Sequence, residues 1–71
     1  MWMTIKDKEI EYVINFSNVI CFGKIQDCKK EPGIELATIQ GGINLVYETE
    51  ENRDEIYEKI IDWVQSIRIE I

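Results

Sequence analysis

Apolar residues recur every second position through much of residues 2–47, and near every 3.6th position after that. Period two is the signature of a half-buried strand, and a period near 3.6 that of an amphipathic helix. Trp2 to Lys6 reads as a short strand and Asp7-Lys8 as a turn. Ile10, Tyr12 and Ile14 alternate with Glu11 and Val13, a second strand. Asn15-Phe16-Ser17-Asn18 sets turn-forming residues on both sides of one aromatic. Val19 to Gln26 is a third strand, rich in β-branched and aromatic residues, with Gly23 as the expected site of a bulge or bend. The loop DCKKEPG, residues 27–33, ends in Pro32-Gly33.

Ile34 to Gln40 and Ile43 to Tyr47 flank Gly41-Gly42. Two β-forming runs joined by two glycines predict a tight hairpin, because glycine tolerates the positive φ of such turns. Ile43, Leu45 and Tyr47 then share a face. Thr49 is the expected N-cap of a helix from about Glu50 to Arg68, about 28 Å long at about 1.5 Å per residue. Ile56, Ile60, Trp63, Val64, Ile67 and Ile71 fall on its apolar face. Strands followed by one helix predict a single α+β domain: an antiparallel, strongly twisted sheet of four to five strands covered by the C-terminal helix.

Size changes what this domain needs. A 71-residue chain buries only about 60% of its unfolded surface, so chains of this length usually add a disulfide, a metal or a second copy. Two cysteines, Cys21 and Cys28, make a poor disulfide framework, and without histidine they are half a zinc site at most. Oligomerisation is the remaining staple, so a homo-oligomer is expected. No cofactor or metal site is read. The apolar Met1-Trp2-Met3 runs at once into charge, leaving no room for a signal-peptide core, and no apolar run approaches a membrane span. Free thiols and the missing export signal predict a cytoplasmic protein. A net charge of −6 argues against direct binding to nucleic acid or to anionic membranes, but does not exclude a basic partner protein.

That charge is concentrated. Residues 48–62 hold seven acids against Arg53 and Lys59, a local net of −5. On a helix Glu50, Asp54, Glu58 and Asp62 form an i, i+4 ladder with Glu51 and Glu55 beside it, opposite the apolar face. The ordinary explanation is a solvated face whose acids near the helix start favour the dipole, with Glu55 and Lys59 as an ion pair. Its unrelieved repulsion, about 0.2–0.5 kcal/mol per like pair, leaves room for a partner-binding stripe or a phosphate-like decoy. Tyr57 and Ile61 lie at the margin of the apolar face, where they either pack on the sheet edge or meet a partner. Trp2 and Trp63 read as core or lid residues, with interface anchor as the alternative.

Catalysis finds no support in the residues. Cys28 beside Lys29 and Lys30 has the setting for a lowered thiol pKa, but no histidine can act as its base. Gly41-Gly42 lacks the spacing and the following Lys-Ser/Thr of a phosphate loop, and the lysines are scattered. The visible carboxylates face solvent on one helix, without the cleft that raises a catalytic pKa. The chain is therefore expected not to be an enzyme.

Met1-Trp2, the Asp7-Lys8 turn, Asn18-Val19-Ile20 and the hairpin leading into Thr49-Glu50-Glu51 resemble a diffuse group of short, uncharacterised proteins of Gram-positive bacteria and their phages. Fourteen isoleucines suit an AT-rich genome of that kind. The DCKKEPG loop and the dense acids of the helix stand outside the shared pattern. The resemblance implies strands running into one C-terminal helix, and action by binding a host or defence protein. It supplies no active residues. The expected function is thus a non-enzymatic protein-binding module, of the phage or mobile-element inhibitor kind, with Trp2, Tyr57, Ile61 and the acidic stripe as candidate surfaces. Two alternatives stand beside it: a small-ligand sequestering protein with an intersubunit pocket lined by residues such as Trp2, Phe22 or Tyr47, and a nucleic-acid mimic acting through the ladder.

Overall fold

The computed structural model describes residues 2–26 and 29–66. In chain order they form strands β1 (Trp2–Lys6) and β2 (Glu11–Asn15), a 3-10 turn (Phe16–Asn18), strands β3 (Val19–Gln26), β4 (Pro32–Thr38) and β5 (Gly41–Val46), and helix α1 (Glu50–Ser66). The α+β class and the strands-then-helix order are as expected. The single sheet is not: β1 and β2 form one antiparallel pair, and β3, β4 and β5 a separate three-stranded antiparallel sheet in the order β3-β4-β5.

The reason for the break lies at the β1–β2 turn. Val46, the last residue of β5, has its carbonyl taken by the N–H of Lys8 at 3.0 Å and its N–H donated to Asp7 Oδ2 at 3.1 Å. Those backbone groups are what a β2–β5 ladder would have used. The hairpin is thus pinned to β5 at one end and pairs with it nowhere else among the described residues.

Alternation decides the core. Met3 and Ile5 of β1 and Tyr12 and Ile14 of β2 point inward, while Trp2, Thr4, Glu11 and Val13 point out. Ile34 and Leu36 of β4 lie opposite Leu45 and Ile43 of β5, and Ile34, Leu36, Leu45 and Ile60 are fully buried. Each such side chain contributes about 1.5–3 kcal/mol, so these four form the centre of stability. Phe16, carried inward by the 3-10 turn that Asn15 caps, packs edge-on against Trp63 at 5.2 Å between ring centroids.

Three local expectations are corrected. The β4–β5 hairpin bends at Ile39-Gln40 rather than Gly41-Gly42: Thr38 pairs with Gly41, and the Thr38 hydroxyl donates to the Gly41 carbonyl while accepting from the Gln40 N–H. Gly41 does supply a positive φ of 135°, but at the exit of the turn. The irregularity in β3 falls between Val19 and Cys21, and Gly23 sits in regular register opposite Glu35. Ile10 belongs to the turn and is exposed, since its N–H is committed to Asp7.

Helix α1 starts where Thr49 predicts, with Thr49 Oγ1 accepting from the Asn52 N–H at 3.1 Å. Its expected last residues, including Ile67 and Arg68, and the apolar-face position Ile71 lie outside the described residues, as does Cys28. Ile60 is buried, and Ile56, Trp63 and Val64 are half-buried on the same side, as the spacing requires. No described helix is long and apolar enough to cross a membrane.

Candidate functional site

The first surface is the outer face of the β1–β2 hairpin. Trp2 pairs with Asn15 and Thr4 with Val13, so Trp2 and Val13 are diagonal neighbours on one face. Trp2 is 66% exposed and Val13 63%. The expectation that Trp2 is a core or lid residue is therefore corrected: as the first residue of its strand it takes the outward phase that puts Met3 and Ile5 inside. Beside it runs a groove of about 230 Å³ between the two sheets, bounded by Trp2, Val13 and Asn15 on one side and Gln40 and Ile43 on the other. Trp63, by contrast, keeps its packing role.

The second surface is the acidic helix face, and its members are not equivalent. Asp54 Oδ1 accepts from Arg53 Nε at 2.7 Å and lies 3.2 Å from Lys24 Nζ. These two bonds, Arg53 first, hold the Asp54 carboxyl below its ordinary range. Glu55 pairs with Lys59 at 3.5 Å, the i, i+4 bridge expected from spacing. Glu50, Glu51, Glu58 and Asp62 are exposed and make no ion pair among the described residues. The ladder is thus interrupted at its second rung.

Arg53 explains the interruption, and sequence reasoning missed it. It lies three and seven residues before Ile56 and Ile60, on the apolar stripe, and is buried. Its guanidinium Nη1 donates to the carbonyls of Ile25 at 3.2 Å and Gly33 at 3.3 Å, paired residues near the end of the β3–β4 ladder, where Pro32 and Gly33 belong to β4 rather than to the expected loop. Gly33 is required there, because a Cβ would stand 2.7 Å from the Leu45 carbonyl oxygen. A charged residue inside an apolar stripe was the available signal.

The third surface is the helix flank over β3. Tyr57 meets Phe22 edge-on at 5.5 Å between centroids, and Lys24 Nζ sits 5.1 Å from the Tyr57 ring centre. Ile61, one turn later, is half-buried on the same side. Tyr57 and Ile61 therefore belong together, while Trp2 lies over the β2–β5 groove, away from both.

Asp7 is a further cluster the sequence showed only as a turn. Its Oδ1 accepts from the N–H groups of Glu9 and Ile10, both at 2.8 Å, and Oδ2 from Val46. Burial is the largest influence and pushes its pKa up, but the three donors with Lys8 outweigh it and hold the carboxyl low. Tyr47 is buried nearby, and its hydroxyl finds no hydrogen-bond partner among the described residues. Burial, then the charge of Asp7 and the Tyr12 phenol, raise its pKa to about 12. Among the described residues no three potential ligands stand close enough to hold a metal ion.

No protein-family model, no curated protein and no solved structure matches this chain. The surfaces themselves carry the functional reading.

Proposed function

We propose that this chain is a small, non-enzymatic protein-binding module, cytoplasmic and homo-oligomeric, of the kind by which a phage or mobile element inhibits a host or defence protein. The carrying observation is the Trp2–Val13 pair. An exposed tryptophan stabilises its own domain little, whereas tryptophan is among the residues enriched at interface hot spots. The hairpin face supplies that anchor with an adjoining apolar groove, and the free acids Glu50, Glu51, Glu58 and Asp62 steer a basic partner toward the molecule.

The alternatives have less behind them. Trp2, Phe22 and Tyr47 border three separate grooves rather than one shared pocket. A phosphate-mimicking ladder is weakened by the neutralisation of Asp54. The test is capture from Gram-positive host lysate by native chain, a Trp2→Ala variant, and a Glu50→Gln/Glu58→Gln/Asp62→Gln variant. A specific partner should bind the Trp2→Ala chain at least about 30-fold more weakly, the effect of losing a hot spot of about 2 kcal/mol. Equal capture by native chain and Trp2→Ala would remove the hairpin face from consideration.

A further inference from the structure

We propose that the free edge of β3, with the Tyr57–Ile61 flank of α1, is a two-fold interface through which two copies join their three-stranded sheets into one six-stranded antiparallel sheet. This gives a surface to the self-association in the function proposed above. It shares no residue with the Trp2–Val13 face, so the two ideas fail separately.

β3 is the longest strand, eight residues, and pairs only with β4 among the described residues. An unpaired strand edge is a template for another strand unless it is short, carries proline or displays charge. β3 has no proline. Its one irregularity is at Val19/Cys21, and the six residues from Cys21 to Gln26 run in unbroken register. Its one charge, Lys24, is engaged within the chain by Asp54 and Tyr57. The opposite edge of that sheet, β5, is six residues long, and its last residue, Val46, is already bonded to Asp7 and Lys8.

The surroundings of the β3 edge are apolar. Ile20 is 69% exposed and Cys21 is exposed. Between them and the helix lies a groove of about 360 Å³ bounded by Phe16, Val19, Phe22, Trp63 and Val64. A two-fold axis normal to the sheet sets both helices on the same face, antiparallel, with Tyr57 and Ile61 turned toward their counterparts.

Self-complementarity selects a second copy as the occupant. A molecule of −6 resists its own approach least where charge is offset within the chain. Lys24 and Asp54 offset each other at this edge, and Glu50, at the same angle around the helix as Tyr57 and Ile61, leaves a repulsion that salt screens. An antiparallel edge is also its own complement, as an isologous interface requires. The footprint is adequate: eight residues span about 26 Å, and a sheet with one helix layer is about 20 Å thick, giving about 500 Å² per copy. About 1,000 Å² in total is where specific interfaces begin, and this footprint reaches that threshold.

Sedimentation analysis from about 5 to about 500 µM, the range in which weak interfaces assemble, tests this. The native chain should pass from its 8.4 kDa monomer to twice that mass. Salt should tighten the dimer by screening the residual repulsion. Ile20→Lys/Cys21→Lys, both at exposed positions, should weaken association at least 10-fold with an unchanged circular-dichroism spectrum, while Thr4→Lys on the hairpin should not. Amide exchange on the native chain gives a check free of variants: β3 amides should slow at high concentration. A native chain that stays monomeric at the highest concentration overturns the proposal. So does a dimer that survives the β3 substitutions, or one without concentration-dependent protection of β3.

Discussion

Replacing Asp7 with asparagine tests whether one carboxylate joins the two sheets. The native side chain accepts three backbone N–H donors, from Glu9 and Ile10 within its own turn and from Val46, 39 residues away. Bonds to a charged acceptor are worth about 1.5–3 kcal/mol each, against about 0.5–1.5 for a neutral one. Asparagine keeps a carbonyl for the two turn donors but sets an NH2 group against the Val46 N–H. One strong bond is lost and two are weakened, a cost of about 3 kcal/mol. A domain of this size holds only about 4–10 kcal/mol in all, so the loss is large.

Urea unfolding followed by tryptophan fluorescence reads the effect. With a slope of about 1 kcal/mol/M, the midpoint at neutral pH should fall by about 2–3 M. The native Asp7 pKa is lowered, so its contribution is complete above the unfolded-state value near about 4 and is lost as pH falls through the lower native value. The gap between native and Asp7→Asn chains should therefore close in strong acid. A neutral-pH shift below about 0.5 M, or a gap independent of pH, would refute the account.

Tyr47→Phe should be neutral or stabilising by up to about 1 kcal/mol, because it removes a buried hydroxyl with no partner among the described residues. Its raised pKa also means that native stability, complete below about pH 10, declines as pH rises toward 12, and the phenylalanine variant should lose that alkaline limb. Arg53→Met should cost about 2–3 kcal/mol in urea unfolding by leaving the Ile25 and Gly33 carbonyls without their donor; an unchanged midpoint would show that water replaces the guanidinium freely. Gly33→Ala forces a methyl against the Leu45 carbonyl and should lower stability by about 2 kcal/mol or more, measured as a fall in melting temperature of about 8 °C or greater.

Local chemistry was legible wherever a short stretch answers to its own neighbours. Thr49 caps the helix because its hydroxyl reaches a donor three residues on. Tyr12 and Ile14 face inward and Val13 outward because strand alternation leaves no other choice. The same reasoning put Tyr57 and Ile61 at the helix margin, where the structure has them. It misplaced the β4–β5 turn by two residues, because two glycines advertise a bend that the Thr38 hydroxyl instead closes around Ile39-Gln40. It also left Trp2 between a core or lid residue and an interface anchor, since hydrophobicity alone cannot say which phase of a terminal strand faces the core.

By itself, then, the sequence determined the α+β class, the element order, the helix start and the concentration of acid on one helix. Each depends on periodicity or on contacts within a few residues. Only the tertiary structure decided that the strands divide into two sheets, that Arg53 turns inward and neutralises the ladder at Asp54, and that the β3 edge lies open beside Tyr57 and Ile61. Those outcomes rest on pairs such as Asp7 with Val46 and Arg53 with Gly33, which are distant in the chain. Hydrogen-bond demand at one end of such a pair is visible in the residue type, but its satisfaction at the other end exists only once the chain has closed.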